Sequence, residues 1–574
     1  MKLDRLVAVA AGREKADLVL RGGRVVNVCT HEIQNTDVAI AEQHIAAVGG
    51  PFNGVEVINC TGLILCPGFV DAHVHIESSM LSVAEFARTV VTHGTVAVIA
   101  DPHELANVMG AEGIRYVLRS SKYAPIQVYV MLSSCVPASQ WESSGAELGA
   151  VDLLPFLADP WVLGLAEIMD YPGVIGGRAD VLDKLRVAEN RLIDGHAPGL
   201  AGADLQAYAA SGVQSDHECT TADEAMDKLR AGMHIMIREG TAARNLDALI
   251  GLVTPANAAQ FMFCTDDKHV DDLLSEGQID CMVRRAIQLG LDPMLALRLA
   301  TLSPARYCNL RRLGAIAPGY RASIVALDNL TDCRVRKVWS SGRLAAEDGV
   351  CVAERVELPG RPLLRGSINT HWLDVEDFAI PAPAPDGARI NVIELIENQL
   401  ATRKLVVPPT VRDGRLVADP QRDLAKLAVV ERHAASGRVG LGFVKGLGLR
   451  RGALASTVAH DAHNLIVAGI EDSDILAAAI HLVKIRGGLC VVADGKVLAD
   501  LPLPIGGLMS DQPAREVADG LGRVRAAARE LGCGLRRPFM ALSFLSLSVI
   551  GAIKLTDRGL IDVDRFAPID LVAE

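Results

Sequence analysis

The segment PGFVDAHVHIESSM, residues 67–80, contains an apolar strand that ends in two histidines, His73 and His75. A turn at Pro67 and Gly68 precedes the strand. Because side chains at positions i and i+2 of a strand point to the same side, both imidazoles reach one point at the strand end. Imidazole is a good ligand for Zn, Mn or Fe(II), so the pair predicts half of a metal site. A His-x-His pair alone is a weak signal, and its interpretation depends on the rest of the chain.

Short apolar runs that end in polar residues alternate with helix-like segments after this strand. The runs are VAVIADPHE (96–104), IQVYVMLSS (126–134), VLGLAEIMD (162–170), VQSDHE (213–218), HIMIREG (234–240) and FMFCTDD (261–267). Strands that alternate with helices are typical of βα units and a parallel sheet. About eight such units fit this length, so we predict an α/β protein with a (β/α)8 TIM-like barrel at residues 67–310.

Short strands with glycine turns flank the predicted barrel on both sides. This pattern of strands and turns occurs in residues 1–66 and again in residues 311–365. We predict that the two segments form one composite β domain, a β-sandwich built from both sides of the barrel. A linker is expected at residues 366–387, because the proline-rich IPAPAPDG lies there. Residues 388–574 mix strands and helices, with a hairpin signal at VVADGKVLAD, and predict a C-terminal mixed α/β domain.

The composition indicates a cytoplasmic protein. The net charge of −12 repels a phosphate backbone, so we expect no nucleic-acid partner. Charged side chains interrupt the N-terminal segment, which lacks the pattern of a secretory signal. The longest uncharged apolar run, between Arg537 and Lys554, is too short to span a bilayer comfortably, so we expect no membrane partner. The 12 cysteines form no CxxC pair, as expected for reduced thiols.

Further ligand-type residues occur where the predicted barrel strands end. They are Glu167 in VLGLAE, His196 in IDGHAPG, His217 in VQSDHE and Asp266 in FMFCTD. The C-terminal ends of the strands form the face where barrel active sites lie. A buried carboxylate there is costly unless it is paired or bound to a metal. Each histidine taken singly also fits an ordinary loop or core position, but the set as a whole indicates a metal site.

The whole pattern resembles the amidohydrolase superfamily and, within it, the bacterial adenine deaminases. The stretches that carry the resemblance are GFVDAHVHIESSM, ADPHELANV, GLAEIMDYPGV, DGHAPGL, SDHE, REGTAARN and CTDDKH, and it continues in KGLGLRRGALASTVAHDAHN (445–464) and RRPFMALSFLSLSVIGAIKLTDRGL (536–560). It thus covers nearly the whole chain. The resemblance implies a purine base as the small-molecule partner and two divalent metal ions, Mn, Fe(II) or Zn, as cofactors.

The resemblance also implies the metal ligands. They are His73, His75 and Asp266 for one ion and His196 and His217 for the other. Glu167 stands where many relatives bridge their ions with a carboxylated lysine, and an ordinary glutamate can bridge without modification. This departure weighs against dihydroorotase, hydantoinase and urease-like activities.

The implied reaction is the hydrolytic deamination of adenine to hypoxanthine and ammonia. A water that bridges two divalent ions has its pKa lowered from about 15.7 toward 7, and the metal-activated hydroxide then attacks C6 of adenine. Asp266 passes the proton of the water to the departing amine. His103, in the DPHE segment, is the candidate donor to ring nitrogen N1, with a ligand-orienting role as the alternative, and Glu104 is a candidate for the same role.

Three more residues are candidates for binding the base. Glu77 follows His75 by two positions and can face the same mouth, with a solvated or helix-capping role as the alternative. Asp267 directly follows Asp266, and because this TDD arrangement also resembles adenosine deaminase, we expect it to read a purine edge. His269 in the same segment is the third candidate.

The residues His460, Asp461 and His463 form an HDAH segment in the last predicted domain. The runs LASTVA and NLIVAG on either side read as strands, which predicts a connecting loop. Three interpretations stay open for this loop: surface structure, the lining of the substrate pocket, or a further metal site.

Two other functions also stay open. A cyclic amide or amidine hydrolase would use the same metal site, because pocket specificity is poorly visible in a sequence. A metal-binding scaffold without catalysis is the other, although Asp266 argues against it, since a proton shuttle has no purpose in a structural site. The large, β-rich last domain makes us expect a homodimer or a higher homo-oligomer.

Overall fold

A computed structural model describes residues 3–356, 366–382, 387–396, 399 and 401–573. None of the helices in these ranges combines the length and the apolar character that crossing a membrane requires. All twelve cysteines lie in the described ranges, and each of them is a free thiol.

Five N-terminal strands begin a sheet that the chain completes only after the barrel. They are β1 (Ala16–Asn27), β2 (Glu32–Ala41), β3 (His44–Gly49), β4 (Gly54–Asn59) and β5 (Ile64–Pro67), and helix α1 (Leu3–Ala10) precedes them. Strand β2 pairs antiparallel with both β1 and β3. Strand β1 also pairs in parallel with β4 and β5. The other edge of β5 accepts a strand from the far side of the barrel.

Eight parallel strands form the central unit. They are β6 (Phe69–Val74), β7 (Thr95–Ala100), β8 (Gln127–Leu132), β9 (Val162–Ile168), β10 (Leu192–Gly195), β11 (Ser215–Asp216), β12 (His234–Arg238) and β13 (Phe261–Cys264). Strands β6 to β10 pair in chain order, and so do β11 to β13. The amide of Gln214 donates to the carbonyl of Ile193, next to β10 and β11, and Val74 forms a parallel bridge with Asp266 beyond β13. The parallel sheet therefore curls back toward its first strand, as a barrel requires.

Each of these strands is followed by at least one helix. The helices are α2 (Val83–Val90), α3 (His103–Met109), α4 (Ala111–Ser121), α5 (Ala150–Leu153), α6 (Tyr171–Ile175), α7 (Ala179–Val187), α8 (Gly202–Ala210), α9 (Ala222–Arg230), α10 (Leu246–Leu249), α11 (Val270–Ser275), α12 (Ile279–Gln288), α13 (Pro293–Leu299) and α14 (Leu302–Tyr307). Helix α2 begins at Ser82, whose side chain caps it by accepting from the amide of Glu85. Because helices return the chain each time, all eight strands end at the same face.

Four strands after the barrel return to the N-terminal sheet. They are β14 (Ile324–Leu327), β15 (Val335–Ser340), β16 (Arg343–Glu347) and β17 (Val350–Cys351). Strand β14 pairs antiparallel with β5 on one side and with β15 on the other, and Trp339 of β15 is fully buried. Strands from both flanks thus share one nine-stranded sheet. The end of the predicted composite domain, residues 357–365, lies outside the described residues.

The C-terminal part is built on a second nine-stranded sheet. Its strands and those beside it are β18 (Ile380–Pro381), β19 (Arg389–Leu395), β20 (Thr402–Val407), β21 (Thr410–Arg412), β22 (Arg415–Val417), β23 (Leu424–Val430), β24 (Val439–Lys445), β25 (Ala453–Ser456), β26 (Leu465–Gly469), β27 (Gly488–Ala493), β28 (Lys496–Pro502), β29 (Ile553–Thr556), β30 (Gly559–Asp562), β31 (Ala567–Ile569) and β32 (Val572–Ala573), with helices α15 (Asp472–Ile485), α16 (Ala514–Glu530) and α17 (Pro538–Ser543). The predicted hairpin is the antiparallel pair β27 and β28. Arg525 of α16 forms a 2.5 Å ion pair with Asp271 of α11, which ties this part to the barrel.

The predicted linker packs against the C-terminal part where it is described. Phe378 is fully buried there, and β18 pairs antiparallel with β22. The amide of Asn369 donates to the carbonyl of Arg432. Residues 383–386 of the proline-rich stretch lie outside the described residues. The described part of the segment is therefore packed against the C-terminal part rather than extended as a free linker.

The main chains of β9 and β10 approach each other closely at Gly164 of β9. A Cβ at this position would lie 1.9 Å from the carbonyl oxygen of Leu192, so the paired main chains would have to move apart. We expect Gly164→Ala to lower the free energy of unfolding by about 1–3 kcal/mol. Thermal unfolding measures this. Gly251→Ala is the matched control, because a Cβ there meets no atom within 4 Å, and equal melting temperatures of the two variants would contradict the pairing.

Candidate metal and active site

The ligand-type residues predicted from the strand ends come together in one buried cluster. His73 lies on β6 and Glu167 on β9, and the others follow β6, β10, β11 and β13 within two residues of the strand end. The cluster consists of His73, His75, Glu167, His196, His217 and Asp266, each no more than 8% exposed. The common face of the parallel strands explains why residues so distant in the chain meet here.

Glu167 occupies the centre of this cluster. Its Oε1 atom lies 3.2 Å from Nε2 of His75 and 3.3 Å from Nδ1 of His103. Its Oε2 atom lies 2.6 Å from Nδ1 of His196 and 3.2 Å from Nε2 of His217. Each oxygen of one carboxylate therefore faces a different pair of imidazoles.

His73 and His75 point their Nε2 atoms at the same place, 3.1 Å apart. Nδ1 of His75 lies 3.0 Å from the carbonyl oxygen of Asp101, which can only accept a hydrogen bond. The proton of the neutral ring is thus on Nδ1, and Nε2 presents its lone pair to the cluster. Oδ1 of Asp266 completes this group at 3.0 Å from Nε2 of His75 and 3.6 Å from that of His73.

His217 has two buried ring nitrogens, and neither makes a hydrogen bond within the part of the chain that is described. Its ring stacks on that of His73, with centroids 4.3 Å apart. Buried polar atoms are almost always paired, because leaving them without a partner is costly. An unpaired Nε2 beside the Glu167 carboxylate is therefore the expected state of a nitrogen that binds a cation.

The two carboxylates of the cluster are held in the ionised form. Burial raises the pKa of Glu167, but the imidazoles around it, His196 foremost, lower it well below its usual range. Burial also raises the pKa of Asp266, and the guanidinium of Arg238 together with the nearby imidazoles lowers it well below its usual range. Both groups are thus able to bind a cation or accept a proton.

Arg238 and Glu218 belong to the site, although the sequence indicated Arg238 only as a weak candidate for binding the base, within the turn at residues 238–240, and gave no role to Glu218. Nη1 of Arg238 donates to Oδ2 of Asp266 at 2.6 Å, and Nη2 donates to Oε2 of Glu218 at 3.1 Å. Arg238 ends the apolar strand β12, so the same strand-end rule that selected Glu167 would have selected it. Glu218 directly follows His217, but its burial beside an arginine is decided only by the fold.

His103 and Glu104 lie beside the cluster at the start of α3. Nδ1 of His103 lies 3.0 Å from Oδ2 of Asp101 as well as near Glu167. Oε1 of Glu104 lies 2.8 Å from Nδ1 of His460, and Oε2 of Glu104 contacts Nε2 of His463. Burial lowers the pKa of His460, but the Glu104 carboxylate raises it to about 9.

The HDAH segment therefore reaches the candidate site from the C-terminal part. His460, Asp461 and His463 are at most 5% exposed, so the expectation of surface structure is wrong. The loop between β25 and β26 was correctly predicted from its flanking strands, but a sequence does not show that this loop turns toward the barrel mouth.

A pocket opens above the cluster. Its barrel side includes the residues around Glu167 and also Asp267, whose Oδ1 accepts a 2.5 Å hydrogen bond from Ser78. Its other side is formed by the C-terminal part, with the apolar side chains Phe544, Leu547 and Ile550 and the polar residues His460 and Asp461. Both parts of the chain are thus needed to enclose the pocket.

Two predicted substrate-binding residues do not line this pocket. Oε1 of Glu77 accepts from the amide of Leu105 at 3.1 Å in the first turn of α3, which is the helix-capping alternative. Nδ1 of His269 lies 3.3 Å from Nη2 of Arg525, where the barrel meets α16. The strand-end position alone did not distinguish these side chains from Asp267, because it does not define the direction in which a loop residue points.

Comparisons with known proteins agree with this arrangement along the whole chain. Residues 64–345 match the amidohydrolase family, and residues 399–567 match the adenine deaminase C-terminal domain. The adenine deaminase of Desulfatibacillum aliphaticivorans is 47% identical over 565 residues, which cover 98% of both chains. The adenine deaminase of Geobacillus kaustophilus is 46% identical over 578 residues, 99% of both chains. Since the identity is high and spans both parts, the resemblance noted in the sequence is confirmed, and the chain belongs to the adenine deaminase family of the amidohydrolases.

Proposed function

We propose that this protein hydrolyses adenine to hypoxanthine and ammonia. The named relatives of similar length support the substrate. The observation that carries the chemistry is the position of Glu167, with one carboxylate oxygen toward each of two pairs of imidazoles. A purine base fits a pocket with apolar walls and a few convergent polar groups, which is the usual form of a small-molecule site.

The donor set fits two divalent cations. We assign His73, His75 and Asp266 to one ion and His196 and His217 to the other, with Glu167 between them. The unpaired Nε2 of His217 supports this assignment, and so do the Nε2 atoms of His73 and His75, which lie 3.1 Å apart beside the carboxylate of Asp266. Histidine and carboxylate ligands suit Mn, Fe(II) and Zn alike.

Two divalent ions, when bound, lower the pKa of a shared water so that hydroxide is available near neutral pH. Asp266 is the group that we assign to the proton transfer. Its ionised carboxylate accepts the proton that the attacking water loses and gives it to the departing amino group. Arg238 fixes the orientation of Asp266 by binding its Oδ2 atom, so that Oδ1 stays directed toward the histidines.

His103 and Asp267 are the candidates for holding the base. The contact of His103 with Asp101 and Glu167 supports the role of orienting the cluster through Nδ1, and its Nε2 is directed toward Glu104. A proton delivered to N1 of adenine would come from this Nε2. Asp267 lines the pocket with a carboxylate that can accept from a donor on the purine edge.

The proposal also covers the domain organisation, the location and the assembly of the protein. We infer that the eight parallel strands form a closed (β/α)8 barrel, that the sheet shared by both flanks is a separate β domain, and that residues 388–574 form the domain that covers the pocket. We also keep the predictions of a cytoplasmic location and a homodimer or higher homo-oligomer. The curled sheet and the shared flanking sheet support the first two statements.

The activity assay tests the proposed substrate. Purified protein incubated with adenine is expected to release ammonia and hypoxanthine in equal amounts, measured by coupled ammonia detection and chromatography. A chelator should abolish this release, and added Mn²⁺ or Zn²⁺ should restore it, because the hydroxide depends on the ions. Dihydroorotate and a hydantoin are the control substrates. If one of them is opened while adenine stays intact, the cyclic-amide alternative is correct.

Glu167→Gln tests the central carboxylate. Removing its charge while keeping its shape should reduce the metal content from about two ions per chain, because a neutral amide holds two cations poorly. Elemental analysis after dialysis measures the ratio. Glu189→Gln, at an exposed position in the turn after α7, is the matched control and should keep the full metal content. Equal metal content in both variants would exclude Glu167 as a ligand.

Asp266→Asn tests the proton transfer. The amide keeps an oxygen for the metal but cannot accept and release the proton, so kcat should fall by about 100- to 10,000-fold while metal remains bound. Steady-state kinetics with adenine and elemental analysis measure the two properties. The exposed Asp204→Asn is the control. A kcat within a few-fold of the unchanged protein would remove Asp266 from the mechanism.

A further inference from the structure

The HDAH loop brings three polar side chains of the C-terminal part to the barrel mouth. His460 and His463 both contact the carboxylate of Glu104, and the three residues are fully enclosed. The ligand atoms of Glu104, His460 and His463 lie close enough together to suggest a further metal site. The hydrogen bonds around His463 decide between that possibility and a hydrogen-bonded cluster.

The tautomer of His463 speaks against a metal. The amide of Ala459 donates to Nδ1 of His463 at 3.1 Å, so this nitrogen carries a lone pair and no proton. The proton of the neutral ring is therefore on Nε2, which faces Oε2 of Glu104 as a donor. A ring nitrogen that carries the proton has no lone pair for a cation. His463 thus supports the carboxylate of Glu104, and Glu104 in turn orients the ring of His460.

His460 is fixed on two sides and free on the third. Its Nδ1 lies 2.8 Å from Oε1 of Glu104, and its ring stacks on Phe544 with centroids 4.3 Å apart and an angle of 8°. Nε2 of His460 has no hydrogen-bond partner among the described residues, and the side chain lines the pocket above the metal ligands. This is how a side chain that binds a ligand is usually held: oriented by the protein, with one polar atom left for the ligand.

We propose that His460 is a purine-binding residue, whose Nε2 forms a hydrogen bond with a ring nitrogen of adenine other than N1. Glu104 and His463 are positioning residues that orient the His460 ring, and the C-terminal domain thereby contributes directly to substrate recognition. This inference rests on the proposed deamination of adenine. A site built to hydrogen-bond one ring nitrogen rejects analogues in which that nitrogen is missing, because its own polar atom is then left unpaired.

Two substitutions at His460 distinguish the roles of its two ring nitrogens. The short amide of Asn can replace the contact of Nδ1 with Glu104 but cannot reach the position of Nε2, whereas the longer Gln can reach it. We expect His460→Asn to raise KM for adenine and lower kcat/KM by about 10- to 100-fold, with kcat changed by only a few-fold. His460→Gln should recover part of the loss. His481→Asn, in α15 next to Asp500 and away from the pocket, is the control and should keep the unchanged kinetics.

Substrate analogues identify the contact itself. Inhibition constants against adenine are measured for 3-deazaadenine and 7-deazaadenine, which lack ring nitrogens N3 and N7, and for 9-methyladenine, in which N9 can no longer donate a hydrogen bond. The unchanged protein should bind one of the three at least 10-fold more weakly than adenine, and His460→Asn should remove that difference. If His460→Asn proves unstable, the same inhibition constants are measured for metal-loaded His460→Gln and compared with those of the unchanged protein.

The outcomes distinguish the two proposals. If the unchanged protein deaminates adenine, but His460→Asn keeps its KM and the same preference among the analogues, the assignment of His460 is overturned while the proposed function stands. If the unchanged, metal-loaded protein releases no ammonia from adenine, the proposed function itself fails and the assignment of His460 fails with it.

Discussion

The buried carboxylate of Glu167 is the constraint on which the rest of the site depends. An ionised group at the end of an apolar strand loses its hydration, and this cost is offset only by positive charge or hydrogen-bond donors brought close to it. Four imidazoles lie within 3.3 Å of its two oxygens. They come from different strand ends, so the parallel arrangement of the strands is what makes a buried charge acceptable here.

A second layer of contacts keeps the cluster in this geometry. The carbonyl of Asp101 orients His75, and Arg238 orients Asp266. Asp71 on β6 accepts hydrogen bonds from Thr265 at 2.5 Å and from Gln278 at 2.7 Å, which ties the first strand to the segment after β13. The contact with Asp101 places the proton of the neutral His75 ring on Nδ1 and leaves Nε2 free for a cation, and the other contacts hold the carboxylate and the strand ends in place.

The C-terminal domain takes part in the site rather than merely adjoining it. Its HDAH loop is anchored by the fully buried Arg432, which has no carboxylate within ion-pair distance among the described residues and instead donates to the carbonyl groups of His463, Ser367 and Gly506. Desolvation lowers the pKa of Arg432 to about 9, so its burial is costly. The hydrogen bonds of its guanidinium offset part of this cost and connect the HDAH loop to the segments around Ser367 and Gly506.

The sequence by itself determined the elements whose signals are local: the His73 and His75 pair, the alternation of strands and helices, and the ligand-type residues at strand ends. It also determined the family, because long motifs in both parts match. Only the tertiary structure decided that the HDAH loop is buried at the barrel mouth, that Arg238 binds Asp266, and that Glu77 and His269 point away from the pocket. Strand periodicity defines the side of a side chain on its own strand, whereas the direction of a loop residue depends on contacts between segments that are far apart in the chain.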